Sequence, residues 1–207
     1  MKREEKNQQT RRRIMDSALA EFSRQGYGAS SINTICAAQD ISKGIVYHYF
    51  ETKDGLFLAC IAECFQRLTE YIRTNMIEQG DMECCLEEYF SIRTRFFRSF
   101  PVYQRIFCEA VVSPPSHLRA DIQACRQDFD ALNLRILEHL LAPISLRPGI
   151  SKEEVIETFR QFQDLINIRC QTAAANGLEF EDREENCRRI LDILLYGVVK
   201  REKNNHV

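Results

Sequence analysis

The sequence predicts an all-α protein of about nine helices, in which a small N-terminal domain of short helices precedes a larger helical body. Three observations indicate this class. The 207 residues include only five prolines and eight glycines. Apolar residues recur along nearly the whole chain at spacings of three and four, the period of one helical face. A hydrophobic content of 44% is enough to bury a core in one or two domains.

The first predicted helix carries Ile14, Ala18 and Phe22 on one face. We expect it to end at Gly26, because glycine readily adopts the left-handed conformation that closes a helix. The residues before it, 1 to about 9, are expected to be a frayed chain end.

Serine and threonine residues at cap positions predict where the next three helices begin. These helices begin after Ser30 or Ser31, after Ser42 and after Thr52, and the first two of them end near Ala38 and Tyr49. The last of the three is long, because its apolar face continues from Phe57 to Ile72.

Prolines and caps divide the larger body. Pro101 should break the helix that carries the aromatic residues from Tyr89 to Phe107. Ser113 with Pro114 is expected to start a helix that runs to Leu141. Ser151 and Glu154 have the spacing of a capping box, and two further helices are predicted over about 152–175 and 182–201.

Charge and composition limit where the chain acts. Residues 1–53 hold nine Lys and Arg against six Asp and Glu, and the rest hold 19 against 24, which favours a polyanionic partner for the N-terminal part. No apolar run of 18 residues and no secretory signal occur, so we expect a cytoplasmic protein that does not enter a membrane. Nine scattered cysteines are typical of reduced thiols in a core.

The tight turn "AAQDIS" between two short helices, with a serine cap after it, predicts a helix-turn-helix. In this motif the second helix of the pair lies in the DNA major groove. The stretch "GYGASSINTICAAQDISKGIVYHYFETKDGLF" resembles the DNA-binding domain of the tetracycline-repressor (TetR) family of bacterial transcription regulators, over roughly residues 11–58. The rest of the chain resembles the family only in length and helical pattern.

The resemblance implies a helix-turn-helix DNA-binding domain in residues 1–53 and a ligand-binding and dimerisation domain in residues 54–207. It places Lys43 at the base edges, Gly44 close to the DNA, and other residues at phosphates or caps. The DNA-binding residues it implies are Ser30, Ser31, Ser42, Lys43, Gly44, Tyr47, His48 and Lys53. Arg11, Arg12 and Arg13 are weaker candidates, because a charge run at a chain end is usually solvated.

Three positions depart from the family pattern. Asp40 occupies a turn position that is commonly glycine, and aspartate tolerates the left-handed backbone better than most residues. Ile45 stands where a hydrogen-bonding side chain is sometimes found, which leaves contact with a thymine methyl as its role. Gly55 replaces the acidic residue that would complete a capping box with Thr52.

The family logic implies a ligand pocket in the larger domain, although aromatic residues at helical spacing also fit a plain core. The candidate lining residues are Phe65, Tyr89, Arg93, Phe96, Phe100, Tyr103, Phe107, Phe129, Phe162 and Arg169. Arg93 and Arg169 lie in apolar stripes and would hold a polar ligand group or pair with a neighbouring glutamate. The ligand itself is expected to be small and largely apolar or aromatic.

The resemblance implies that the last two predicted helices form a homodimer interface, a four-helix bundle with the same pair of a second copy. The final helix also has more apolar surface than one packing face needs. Its interface residues are Ile190, Leu191, Leu194, Leu195 and Val198. A two-fold dimer predicts an inverted-repeat operator, most simply that of a repressor released by ligand.

Two other classes of function stay open from the residues alone. Catalytic and nucleotide-binding motifs are absent from the sequence, so no enzyme and no cofactor are predicted. Cys60 and Cys64, four residues apart on one helix face, are an alternative thiol- or metal-responsive site, although no dedicated metal site is expected. A helical ligand-binding protein without DNA binding is the other alternative.

Overall fold

A computed structural model describes residues 2–76 and 82–175, together with the single positions Arg189 and Ile193. Nine α-helices occupy these residues, and the predicted all-α class is confirmed. The helices are α1 (Lys2–Ala29), α2 (Ile32–Ala38), α3 (Lys43–Tyr49), α4 (Lys53–Asn75), α5 (Met82–Ser99), α6 (Val102–Val112), α7 (Arg119–Cys125), α8 (Gln127–Leu141) and α9 (Lys152–Ala175). None of these described helices is long and apolar enough to cross a bilayer.

The helices form two compact units, each made from two separate segments of the chain. Unit 1 consists of Met1–Thr69 with Phe97–Phe129, and unit 2 consists of Glu70–Phe96 with the residues from Asp130 onward. The division into a domain of residues 1–53 and a domain of residues 54–207 stays a prediction.

Helix α1 is longer than the sequence suggested, because it is helical from Lys2 rather than frayed to about position 9. Glu4 and Glu5 lie in its first turn, where acidic side chains favour the helix dipole. The Thr10 hydroxyl also donates to the Lys6 carbonyl at 2.9 Å. At Gly26 the backbone has φ +78° and ψ 169°, so the predicted glycine interrupts the helix before its last turn.

The predicted caps and the predicted turn are confirmed. The hydroxyls of Ser31, Ser42 and Thr52 accept hydrogen bonds from the backbone N–H three residues later, at 3.1, 3.4 and 3.0 Å. Asp40 has φ +52°, the left-handed conformation that the turn between α2 and α3 requires. The missing acidic residue at Gly55 therefore does not remove the cap of α4.

The core of unit 1 lies beneath these short helices. Its fully buried side chains include Ile14, Phe22, Ile35, Val46 and Phe57. The Phe57 ring packs against Phe22 and Tyr27, with both centroid separations at 4.9 Å. This aromatic group joins α1 to α4.

The prediction of one continuous helix from Ser113 to Leu141 is wrong, because the helix starts later and is broken into two. Ser113 ends α6, a 3₁₀ turn spans Ser116–Leu118, and α7 begins only at Arg119. Two consecutive prolines explain the late start, because a residue before proline is disfavoured in helical conformation, and Pro115 has an extended ψ of 128°. Arg126, with φ −98° and ψ 0°, then separates α7 from α8.

The break at Pro101 and the capping box of α9 are confirmed. Pro101 lies between α5 and α6. The Ser151 N–H donates to Glu154 Oε2 at 2.8 Å, and the Glu154 N–H donates to Ser151 Oγ at 3.1 Å. The hydrogen bond from the Ser151 N–H stabilises the carboxylate and lowers the pKa of Glu154. The predicted final helix over about 182–201 lies outside the described residues.

Candidate nucleic-acid interface

Helix α3 has one buried side and one open side. Val46 is fully buried, and Phe50, which follows the last turn, is buried as well. Ile45 and Tyr47 are 43% and 47% exposed although both are large hydrophobic side chains. The exposed side also includes Lys43, Gly44 and His48. The α3 residues that the sequence predicted at DNA, Lys43, Gly44, Tyr47 and His48, therefore share its exposed side.

The turn before α3 is held by contacts that leave this side free. The Ile41 N–H donates to the Cys36 carbonyl at 3.0 Å. From α1, Arg13 Nη2 donates to the Gln39 carbonyl at 2.7 Å. Because Ile41 is also buried, the start of α3 is fixed to the core at the residue before its cap.

Gly44 lies on the open side of α3. A Cβ atom built at this position meets no atom of the chain within 4 Å. The protein itself therefore does not require glycine for space here, which agrees with a requirement set by a partner that approaches the backbone closely.

The arginine run at positions 11 to 13 contacts protein groups. The Arg11 guanidinium lies 5.2 Å from the centroid of the Phe50 ring. Arg12 binds Asp16 and, through Nη1, Glu63 at 2.8 Å, and these carboxylates raise the pKa of Arg12. With Arg13 on the turn, all three guanidinium groups position α1 against its neighbours.

Of the two serines predicted at phosphates, only Ser31 is near the surface. Ser30 is 4% exposed, and its hydroxyl donates to the Gly26 carbonyl at 2.6 Å. The prediction of a phosphate contact from Ser30 is therefore corrected, because its hydroxyl is used inside the protein. Ser31 is half-buried and caps α2.

Lys53 is half-buried at the start of α4. Its Nζ donates to the Ser30 carbonyl at 2.8 Å and lies 4.3 Å from the centroid of the Tyr27 ring. These contacts hold the loop before α2 against α4, and a contact of Lys53 with DNA stays a prediction.

Three of the predicted ligand-binding residues form an aromatic cluster inside unit 1. Phe65, Phe107 and Phe129 have ring centroids 5.5 to 5.9 Å apart. The Tyr103 hydroxyl donates to Glu63 Oε1 at 2.5 Å, and burial raises the pKa of this phenol. Phe100 is exposed beside Tyr103.

Other predicted ligand-binding residues lie in unit 2 around a buried polar cluster. The Tyr89 hydroxyl donates to Asn133 Oδ1 at 2.7 Å and accepts from Gln163 Nε2 at 3.2 Å. The buried Arg93 guanidinium lies 5.6 Å from the centroid of the Tyr89 ring. Burial raises the pKa of the Tyr89 phenol.

The remaining two aromatic candidates of unit 2 contact other rings. Phe96 lies 5.5 Å from Tyr71, and Phe162 lies 5.8 Å from Phe90, between ring centroids. Arg169 belongs to α9, and its side chain lies outside the described residues. The same holds for the predicted dimer interface of Ile190, Leu191, Leu194, Leu195 and Val198.

Sequence reasoning missed the contacts that join α6 to α1. Arg105 donates to the carbonyls of Arg24 and Gln25 at 2.7 and 3.0 Å. The Glu109 carboxylate accepts from the Tyr27 N–H at 3.0 Å. These partners are 80 to 82 residues apart in sequence, so no local pattern signals them.

The cysteine pair that suggested a thiol or metal site is buried. Cys60 is 0% and Cys64 is 1% exposed, and burial raises the pKa of both thiols. A buried thiol with a raised pKa is a poor nucleophile and a poor metal ligand. Among the residues that the structure describes, no group of three or more His, Cys, Asp or Glu could hold a metal ion.

Comparison with known proteins identifies the N-terminal region. Residues 14–60 match the model of the bacterial regulatory proteins of the tetR family. The HTH-type transcriptional regulator UidR of Escherichia coli K12 is 28% identical over 107 residues, which are 52% of this chain and 55% of UidR. The negative regulator IcaR of the Staphylococcus aureus biofilm operon icaADBC is 25% identical over 93 residues, 42% of this chain and 50% of IcaR. The chain thus spans about half the length of the curated relatives it matches.

Solved structures share the fold beyond this region. The Bacillus subtilis regulator FadR, solved in complex with stearoyl-CoA, has a TM-score of 0.73 at 16% identity and covers 89% of this chain and 97% of its own. A TetR-family regulator from Chloroflexus aurantiacus has a TM-score of 0.67 at 22% identity, over 94% and 95% of the two chains. The helix-turn-helix region, residues 14–60, thus matches the tetR family of bacterial regulatory proteins, and solved regulators of that family share the fold of the chain.

Proposed function

We propose that this protein is a cytoplasmic DNA-binding repressor, which binds an inverted-repeat operator as a homodimer and is released by a small, largely apolar or aromatic ligand. The observation that carries the proposal is the division of α3 into a buried side at Val46 and an exposed side with Lys43, Tyr47 and His48. Large side chains exposed on so short a helix are explained by a partner that covers them.

On DNA, α3 enters the major groove with its N-terminal end foremost. Lys43 reads base edges there, and Ile45 contacts a thymine methyl. The exposed tips of Tyr47 and His48 bind phosphates, and Ser31 adds a phosphate contact at the start of α2. Gly44 lets the backbone of α3 approach the groove.

Two exposed apolar side chains support a homodimer. Leu165 on α9 is 43% exposed and Ile193 is 71% exposed in the single chain. Apolar residues left open in the region where the sequence predicts the dimer interface agree with a second copy that covers them. In such a dimer the two α3 helices would lie about one DNA turn, roughly 34 to 36 Å, apart.

The ligand is proposed to bind among the aromatic residues of the larger helical region. In unit 2 the polar groups of Tyr89, Asn133 and Gln163 stand among aromatic rings, an arrangement typical of sites that orient a mostly apolar ligand. The shared fold with FadR, which was solved with stearoyl-CoA, makes long-chain acyl-CoA esters the first ligands to test.

Helix α4 is proposed to transmit the ligand signal. It belongs to unit 1 up to Thr69 and to unit 2 beyond it. A displacement of α4 by ligand would change the separation of the two α3 helices. A coupling of about 1 to 3 kcal/mol would lower operator affinity roughly 5- to 150-fold.

The DNA-binding part is tested by replacing the exposed side of α3. A duplex is selected by the full-length protein from a randomised pool, and its binding to the Lys43→Ala/Tyr47→Ala variant is measured by fluorescence anisotropy. We expect the affinity to fall at least about 30-fold, because each of the two protomers loses a base contact of at least about 1 kcal/mol as well as a phosphate contact. Lys152→Ala, a charge-matched change at the exposed start of α9, should bind like wild type.

Unchanged affinity of the double variant at moderate salt would refute the assignment of α3. A wild-type protein without salt-dependent duplex binding would refute the regulator itself and favour a ligand-binding protein that does not bind DNA. The ligand part is tested by titrating the selected complex with stearoyl-CoA and related esters. An ester that binds tightly and leaves operator affinity unchanged contradicts the proposed release.

A further inference from the structure

A groove of about 550 Å³ lies between the first turns of α1 and the exposed side of α3. Its lining from α1 consists of Arg3, Lys6, Asn7 and Thr10, and its lining from α3 consists of Gly44, Ile45, His48 and Tyr49. The sequence alone suggested a frayed end here, so the groove exists only because α1 is helical from Lys2.

In the N-terminal turns of α1, the basic residues that line the groove and the acidic residues lie on different sides of the helix. The four lining residues follow the spacing i, i+3, i+4 and i+7 and cover a roughly 100° arc of the helix. Glu4 and Glu5 fall outside this arc. Basic and amide side chains therefore face the groove, and no acidic residue lines it.

The groove does not have the form of a closed small-molecule pocket. Arg3, Lys6 and Asn7 are exposed, and of the eight lining side chains only Thr10 and Tyr49 are half-buried. A small ligand would remain largely in water there, whereas pockets bury most of their ligand. A large anionic partner fits an open, basic groove better.

The position of the groove identifies that partner. Gly44, Ile45 and His48 line it and also belong to the exposed side of α3 assigned to DNA. A duplex docked on α3 must pass the mouth of the groove, where its backbone meets Arg3 and Lys6. Charge complementarity and continuity with the proposed interface both favour the DNA backbone as the occupant.

We infer that the N-terminal turns of α1 extend the DNA interface, with Arg3 and Lys6 binding phosphates beside the segment read by α3. This inference rests on the proposed DNA-binding function. The first ten residues would then contribute to affinity and to the register of the protein on the duplex through phosphate contacts, without reading any base.

The test compares the salt dependence of two variants of the full-length protein on the selected duplex. Arg3→Ala/Lys6→Ala removes two positive charges from the groove. Gln8→Glu/Arg119→Ala also lowers the net charge by two, at exposed positions that do not line the groove. Affinity is measured from about 50 to 200 mM salt, and phosphate ethylation interference maps the contacted phosphates.

We expect the slope of log affinity against log salt to become shallower in the groove variant alone. The change should be about 0.9 for each phosphate that a bound protomer no longer neutralises. Phosphates flanking the α3 site should disappear from the interference pattern of this variant. Circular dichroism and thermal unfolding of both variants should match wild type, since Arg3 and Lys6 are exposed.

A groove variant whose slope and pattern equal those of the matched variant overturns the inference, while the proposed function stands. If wild type itself shows no salt-dependent binding, the proposed function has failed and the inference fails with it. A shallower slope with an unchanged interference pattern also overturns it, because the charges then act only through the general field of the protein.

Discussion

The exposed side of α3 and the junction between α1 and α6 use polar side chains in opposite ways. At the junction, Arg105 and Glu109 bind backbone groups at the end of α1. On α3, Lys43 and Tyr47 project outward while the buried Val46 holds the helix to the core. Polar groups with internal partners fix a surface, and polar groups left open are available to another molecule. The contrast shows which residues should affect stability and which should affect binding.

The contrast is tested most strongly by truncating one buried aromatic residue, which should affect stability, and one exposed aromatic residue, which should affect binding. Phe57→Ala should cost about 3 to 5 kcal/mol of unfolding free energy, because Phe57 is fully buried against Phe22 and Tyr27. Tyr47→Ala should stay within about 0.5 kcal/mol, since Tyr47 is an exposed side chain outside the core. Urea unfolding at one fixed protein concentration measures both, and similar losses would contradict the division.

Gly26 sharpens the comparison at the end of α1. Gly26→Ala should cost about 1 to 3 kcal/mol, because φ +78° with ψ 169° is a backbone region that residues with a Cβ atom scarcely adopt. The new methyl would also lie 3.1 Å from Arg105 Nη2 and 3.3 Å from Glu109 Oε2.

Gly28→Ala is the matched control for Gly26→Ala. Gly28 belongs to the same helix, and a Cβ there meets nothing within 4 Å. This substitution should leave stability unchanged or raise it by up to about 1 kcal/mol. Equal destabilisation by the two changes would show that the backbone at Gly26 carries no special requirement.

Two lysines ten positions apart provide a smaller test. Lys53→Ala should lower stability by about 1 kcal/mol, since its partly exposed ammonium donates to the Ser30 carbonyl and lies over Tyr27. Lys43→Ala should leave stability unchanged and weaken duplex binding. Thermal unfolding measures stability and fluorescence anisotropy measures duplex binding on the same samples. A loss of stability in Lys43→Ala with unchanged stability in Lys53→Ala would contradict the roles assigned to the two lysines.

The smallest expected effects are in the pH dependence of stability. Burial raises the pKa of Glu109 in the folded protein. Its contribution to stability is therefore present below the ordinary glutamate pKa and is lost as pH rises through the raised value. Glu109→Gln should flatten the fall in stability over this range, measured as Tm against pH.

Glu154 should show the opposite sign. Its pKa is lowered by the hydrogen bond from the Ser151 N–H, so its contribution is present above the ordinary pKa and is lost as pH falls through the lowered value. Glu154→Gln should instead reduce the loss of stability at acidic pH, measured as Tm against pH. The same slope change in both variants would contradict the assignment of burial to one carboxyl and capping to the other.

Much of the helix-turn-helix was predictable because its determinants are local. The caps at Ser31, Ser42 and Thr52 act within three residues, and the left-handed backbone at Asp40 depends on the turn alone. Residue types at fixed short spacings report such features directly.

The errors have physical causes as well. Pro114 resembles a helix start, but Pro115 forces the chain to remain extended. The contact of Lys53 with the Ser30 carbonyl had no local signal either, because the two residues are 23 positions apart. Glu63 gave no signal at all, although it binds Arg12 and Tyr103, 51 and 40 residues away. Contacts over such separations depend on helix packing, which local spacing does not encode.

The division of unit 1 into two chain segments affects the order in which it can form during synthesis. Arg105 leaves the ribosome 81 residues after Arg24, whose carbonyl it binds. At roughly 5 to 20 residues per second, about 4 to 16 s pass between the two. Once Tyr49 has been added, α1, α2 and α3 are all synthesised, but the end of α1 still lacks its α6 partners. The nascent chain thus has its helix-turn-helix segment before it has the contacts that hold the end of α1.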